Sequence, residues 1–265
     1  MNGNAIKKYL SFAAVLLLIV VFMVACGGSI KQTNEELLQS ALAAATGSRT
    51  DWQKVRTLAF KAVKQKSEDA NAHAMLAIAL EQCGQPDNAV DEIRKAVELD
   101  PRNFMAQLTK GRILFERDRI GDCIAPLKEA YKLKPDNENV LLLLARSSAK
   151  LERYKEAMTY YATLARLPSY KDRPEPYNEL AVLYVSQKDN VKASAFFNEA
   201  YKKAPTNYIV VLNIGIFCDV YLNNPAYAIK HYNKYQELTL SNRELEPVRI
   251  KLTKRIEFLK QKYKL

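Results

Sequence analysis

A period of 34 residues constrains this chain more than any other feature. Pro101 in "ELDPRN" stands 34 positions before Pro135 in "KLKPDN", and Pro205 follows after another 70, two periods plus two extra residues. At that spacing the chain aligns with itself in columns. One column reads Ala43, Ala77, Gly111, Ala145, Ala181 and Gly215, all small. The column before it reads Leu42, Leu76, Lys110, Leu144, Leu180 and Ile214, apolar except for Lys110. Two more read Val55, Ala89, Cys123, Ala157, Ala193 and Ala62, Ala96, Ala130, Leu164, Ala200. Small residues let two helices approach, and the bulky neighbours fill the space between them. A unit of this length cannot bury its apolar face alone, so copies must stack. No alternating strand pattern of any length interrupts the helix-forming residues.

The fullest copy is the fifth: Tyr177, Leu180, Ala181, Tyr184, then Ala193, Phe197, Ala200 and Pro205. It resembles the tetratricopeptide signature, W-x2-L-G-x2-Y followed by A-x3-F and P, with Tyr for Trp and Ala for Gly. The resemblance implies an all-α, right-handed superhelical solenoid of about six helix pairs. The pairs are expected at about 36–69, 70–103, 104–137, 138–173, 174–207 and 208–241. The fourth holds a two-residue insertion in "LPSYKDRPEP". The sixth slips by one residue after "NNPAYA" and has Thr239 in place of the terminal proline. The first is weak, with Ala59 where a bulky residue is usual. Residues 242–265 are expected to form one more helix, with Leu245, Val248, Leu252, Ile256, Leu259 and Tyr263 in one apolar stripe. The stripe predicts a capping helix over the last repeat. The remaining face, with Arg249, Lys251, Lys254, Lys260 and Lys264, also offers a basic surface to a partner or a membrane.

The other end carries a different signal. Lys7 and Lys8 precede an uncharged run from Leu10 to Ala25, the pattern of an export signal. The run is shorter than the roughly 20 apolar residues of a spanning helix. "MVAC", Met23 to Cys26, resembles the lipobox of bacterial lipoproteins, with Met where Leu is commoner. That resemblance implies a signal peptide over 1–25, acyl chains on Cys26 as the membrane anchor, and a short tether over 26–35. Gly27 stands where an inner-membrane lipoprotein would have Asp, so the implied location is the outer membrane, facing the periplasm. Removing 1–25 takes away two lysines and no acidic residue, lowering the formal net charge from +11 to +9. Residues 243–265 hold eight basic and three acidic residues, a net +5. Export argues against nucleic acid and for acidic proteins, anionic lipid or cell-wall polymer as counterparts. Cys83, Cys123 and Cys218 are an odd set at wide spacing, which is neither a disulfide framework nor a zinc motif, and the last two fall in core columns.

Tetratricopeptide arrays bind ligands on the face lined by the first helix of each pair. The columns of that helix turned away from the core give Leu108, Arg112 and Phe115 in repeat three and Leu142, Arg146 and Ala149 in repeat four. Repeat five gives Asn178, Val182 and Val185, and repeat six gives Leu212, Ile216 and Asp219. Arg112 and Arg146 stand one period apart and are expected as neighbours along the groove. The Lys, Asn and Arg clamp by which chaperone-docking members hold a C-terminal carboxylate is missing. "NVLLLLARS" and "YIVVLNIGIF" are apolar on nearly every side, as buried helices are. An open groove would present that surface to a peptide, an amphipathic helix or a second copy.

No phosphate loop, nucleophile elbow or metalloprotease motif is present, and His73 and His231 lie in no metal-ligand spacing. His73 occupies the column of Tyr177 and reads as a core histidine. The expectation is a non-enzyme without metal or cofactor: a membrane-tethered scaffold that holds a protein or peptide client. In layout it is similar to the pilotin lipoproteins of type IV pilus secretins, and also to adaptor and barrel-assembly lipoproteins. Two alternatives stay open: a structural protein that self-associates as a homodimer, and a binder of cell-wall or anionic polymer through Arg249, Lys251, Lys254 and Lys260.

Overall fold

The computed structural model describes residues 32–265. The export signal, Cys26 and all but the end of the tether lie outside the described residues. Among the described residues, thirteen α-helices follow one another: α1 (Asn34–Thr46), α2 (Trp52–Gln65), α3 (Ala70–Gln82), α4 (Pro86–Leu99), α5 (Phe104–Glu116), α6 (Ile120–Leu133), α7 (Glu138–Lys150), α8 (Tyr154–Arg166), α9 (Glu175–Ser186), α10 (Asn190–Lys203), α11 (Tyr208–Ile216), α12 (Pro225–Thr239) and α13 (Glu246–Tyr263). The architecture is all-α, as expected. Among the described residues no helix is long and apolar enough to cross a membrane. Two compact units divide the chain at Glu92/Ile93, inside α4.

Local chemistry explains the helix boundaries. Asp69, Asn103, Asn137 and Asn207 each accept a hydrogen bond from a first-turn amide of α3, α5, α7 and α11, as N-caps do. Four pairs then close through a three-residue turn whose middle residue is left-handed: Gly84, Asp118, Glu152 and Lys188. At each turn the amide of the next residue donates to a carbonyl five positions back, for example Arg153 N to Ser148 O at 2.8 Å and Asp189 N to Tyr184 O at 2.9 Å. These are Schellman closures. Glycine fills the left-handed position only once, so Asp118, Glu152 and Lys188 carry the steric cost of a Cβ there.

The first unit holds α1 to α3 and the start of α4. Leu37, Ala62 and Ala72 form its core, with Leu38, Leu58 and Val63 packed around them. The expected register of repeat one is wrong by two residues. Leu42 is 49% exposed and Ala43 is exposed, whereas Leu37 and Ala41 are buried. Two extra residues sit in the loop between α1 and α2, so Ala41 takes the small column. Asn34 and Glu35, expected in the tether, are the first residues of α1, capped by Thr33. His73 is buried as expected, with Nδ1 2.5 Å from Glu92 Oε2 and Nε2 2.9 Å from Ser67 O.

In the second unit the small column is a packing device. A Cβ on Gly111 would lie 2.5 Å from the Leu127 side chain, and one on Gly215 would lie 2.7 Å from the Tyr232 ring. Cys123 and Cys218 are buried in the same helix pairs. The sixth pair absorbs its one-residue slip in a π-helical turn, Phe217–Tyr221, where the Leu222 amide donates to Phe217 O at 3.1 Å. Such a turn adds one residue without ending the helix. Ala228, not Tyr227, therefore enters the core, and Leu240 takes the terminal-proline place expected for Thr239, which is buried. Leu252, Ile256 and Leu259 of α13 join the core of the last pair, with Val248 and Tyr263 against it. The terminal helix caps the array, as its stripe predicts.

Candidate functional site

The two-residue insertion of repeat four borders a cavity in the second unit. After α8 the chain turns through a single 3-10 turn, Pro168–Tyr170, before Pro174 opens α9 without a side-chain cap. Tyr170 swings inward and is 5% exposed, packed with Tyr161 and Leu164 of α8 and Leu141 of α7. The Arg173 guanidinium stacks on the Tyr170 ring at 4.2 Å, and its Nε donates to Glu175 Oε2 at 3.4 Å. Between this loop, α7, α9 and the start of α11 lies a cavity of about 210 Å³. Leu142, Tyr161, Leu164, Pro176, Ile209 and Val210 supply apolar walls, and Arg146, Arg173, Asn178, Glu179 and Asn207 supply polar atoms.

The polar groups are mutually engaged. Arg146, Tyr161 and Glu179 line the same side of the cavity, close enough for the Arg146 charge to act on both the phenol and the carboxyl. Burial pushes the Glu179 carboxyl above the ordinary glutamate range, while the Asn178 amide and Arg146 pull it back in part. Burial also raises the Tyr161 phenol, with the Glu179 charge adding to the effect. Asn178 Nδ2 donates to Glu179 Oε1 at 3.3 Å, and its Oδ1 accepts from Asn213 Nδ2 at 3.0 Å. The result is a pocket with apolar walls and an arginine and a glutamate among the groups on its polar side. That is the makeup of a pocket that holds one bulky side chain and satisfies nearby peptide groups.

The residues expected to line the groove fare differently. Val182 and Ile216 are 38% and 39% exposed, and Arg146 is exposed on the same helix face. Leu108 and Phe115, Leu142 and Ala149, and Val185 and Leu212 are half-buried against the three cores of the second unit. Asn178 is buried at 3% and faces Asn213 rather than open solvent. Arg112 pairs along its own helix with Glu116 at 3.3 Å. Asp219 is occupied: both carboxylate oxygens accept from Arg255, at 2.7 and 2.8 Å, and Oδ2 also accepts from the Tyr232 hydroxyl at 3.0 Å.

On α13, Lys251, Lys254 and Lys260 are exposed, as a basic surface requires. Arg249 is not available in the same way. Its guanidinium donates to Thr239 O at 2.5 Å and Asn242 O at 2.8 Å, closing the C-terminal end of α12. Tyr170 and Arg173 escaped the sequence columns because they belong to the insertion, which breaks the period, whereas Tyr161 stands in the column of Phe197 and Glu179 two before Ala181, in period but read as packing and surface positions. The prolines of "LPSYKDRPEP" were the available signal. Among the described residues, no group of His, Cys, Asp and Glu could hold a metal ion.

Two family models match the chain: the tetratricopeptide repeat, over residues 142–208, and subunit 3 of the anaphase-promoting complex, or cyclosome, over 82–164. A TPR repeat-containing protein of Methanocaldococcus jannaschii is 28% identical over 195 residues, covering 70% of this chain and 34% of that protein. The type IV pilus assembly protein PilF of Pseudomonas aeruginosa is 28% identical over 140 residues, covering 52% of this chain and 55% of that one. The chain thus spans about a third and about half of the lengths of these curated relatives. The solved structure of Pseudomonas aeruginosa PilF superposes with a TM-score of 0.65 at 22% identity, covering 82% of this chain and 97% of that one. PilW, a widely conserved type IV pilus biogenesis factor, superposes with a TM-score of 0.66 at 20% identity, covering 81% and 97%. With its 34-residue helix pairs, small packing columns and these matches, the chain folds as a tetratricopeptide-repeat solenoid and is similar to proteins of type IV pilus assembly.

Proposed function

We propose that this chain is a membrane-tethered scaffold that holds a segment of an envelope protein in the first-helix groove, seated in the pocket beside Arg146. The observation that carries the reading is the Arg146–Glu179–Tyr161 cluster at the wall of an apolar cavity. A packing interface gains little from a half-buried carboxylate whose ionised form is disfavoured. A binding pocket gains orientation from it, because a client amide or cation can complete its hydrogen bonding. Val182 on α9 and Ile216 on α11 add exposed apolar side chains at the expected groove columns. The tether is the lipid on Cys26, and the location is the periplasmic side of the outer membrane. The likeness to PilF and PilW supports a place in assembly of a type IV pilus or a related envelope machine.

The test places a photo-crosslinking amino acid at Ile209, which lines the pocket, and separately at Val191, which is 82% exposed on α10 and outside it. Irradiation of intact cells should give a discrete crosslinked partner from position 209 and none from 191. Equal crosslinking from both positions, or none from 209, would overturn the pocket as the binding surface. A Cys26→Ser variant tests the tether separately, and should move the protein out of the membrane fraction.

A further inference from the structure

We infer that the outer face of α13 docks on an anionic lipid bilayer, independently of what fills the groove. The helix has two distinct apolar sides. Leu252, Ile256 and Leu259 are buried in the core of the last pair. On the other side Ile250 and Phe258 are 52% and 48% exposed, and Leu265, just past the helix end, is 58% exposed. At 100° per residue, Ile250, Lys254 and Phe258 fall within an arc of about 80°. Lys251 and Lys262 flank that arc on one side, while on the other Glu257 stands at its edge and Lys260 about 80° beyond it.

The helix presents this face already formed. Arg255 chelates Asp219, whose side chain is 4% exposed, and the Tyr263 hydroxyl donates to Asn223 Oδ1 at 2.7 Å. Arg249 ties the helix start to the end of α12. Docking therefore requires no folding of the helix, which removes the ordering cost that unstructured amphipathic segments bear.

Charge complementarity selects the occupant. Lys251, Lys254 and Lys260 form no ion pair with any described residue, within a segment of net charge +5. Unpaired lysines on both sides of exposed Ile and Phe match a bilayer interface, where apolar side chains enter the acyl boundary and ammonium groups reach headgroup phosphates. An anionic leaflet adds a favourable term for every lysine near it.

The test uses the full chain with its single tryptophan moved: Trp52→Phe with Phe258→Trp. Because the acyl chains proposed on Cys26 hold the chain at any bilayer, the reporter at 258 reads only whether this face enters the interface. Vesicles of phosphatidylethanolamine and phosphatidylglycerol carrying bromine-labelled acyl chains should blue-shift and quench its emission. Neutral phosphatidylcholine vesicles with the same label should not. Adding Lys251→Gln, Lys254→Gln and Lys262→Gln should weaken the docking equilibrium on the order of a hundredfold, with unchanged circular dichroism. The inference is overturned by emission unaltered in both lipids, or by equal quenching in both. It is also overturned by a blue shift that grows with protein concentration without vesicles, which would mark a second copy of this chain. None of these outcomes depends on the pocket beside Arg146.

Discussion

Arg112 and Arg146 occupy the same column of neighbouring repeats, yet they have different surroundings. In repeat three the turn into the next pair is regular, and Arg112 pairs with Glu116 on its own helix. In repeat four two extra residues turn the chain inward, Tyr170 fills the space so made, and Arg146 faces a cavity that Tyr161 and Glu179 also line. Period places a residue on a face, and the departure from period decides what stands opposite it. In this repeat array the candidate site lies where the repeat fails to repeat.

The strongest way to break that contrast is to remove the plug. Tyr170→Ala should cost about 3 kcal/mol of unfolding free energy, the range for emptying a buried aromatic site, and release Arg173 from its stacked position. Repeat three has no counterpart of Tyr170, which makes the effect a property of the insertion. Denaturant unfolding followed by circular dichroism measures it, and a loss below about 1 kcal/mol would show that the loop does not organise the cavity.

A second change addresses what the two repeats share. Gly111→Ala drives a Cβ into Leu127 and should cost about 2 kcal/mol through overpacking. The reciprocal Ala145→Gly in repeat four removes a methyl group from a helix interior and should cost about 1 kcal/mol. Reversal of that order would mean that the small column does not set the helix separation.

Glu179 gives the pocket a pH signature. Its folded-state carboxyl titrates above the ordinary glutamate value of 4.5, chiefly through burial. The folded state thus holds this proton more tightly than the unfolded chain does. The stability it contributes is present in full below the ordinary value and is lost as pH rises through the folded one. Glu179→Gln should flatten that part of the thermal-midpoint profile. Equal profiles for Glu179→Gln and wild type would remove the half-buried carboxylate from the account.

The smallest expected effect lies in the turns. Lys188 is left-handed with φ 60°, so Lys188→Gly should stabilise the fifth pair by about 0.5–1 kcal/mol. Gly84→Lys in the first unit should do the reverse.

The repeat itself was legible in the sequence because its columns record helix-to-helix distance directly: Gly111 is glycine because Leu127 leaves no room for a Cβ. The register of repeat one was misread because Ala41 to Ala45 includes four alanines, and such a run fits two alignments equally well. Only the longer turn before α2 resolves the choice, and a turn has no periodic signature. The groove columns were legible as positions on one helix, but burial depends on the neighbouring helix. Thus Asn178 is covered beside Asn213, and Asp219 is consumed by Arg255 from 36 residues away. Arg249 illustrates the same limit for charge: composition counts a cation, and only the fold reveals that it closes the end of α12.

The most direct test of the account compares the two arginines. The full-length protein is crosslinked in its own membranes and captured as wild type, Arg112→Glu and Arg146→Glu, with partners identified by mass spectrometry. A partner recovered with wild type and Arg112→Glu but lost with Arg146→Glu is the predicted result, since only the second change sets a like charge beside Glu179 in the pocket. Retention of every wild-type partner by Arg146→Glu would contradict the claim that the insertion in repeat four creates the working surface.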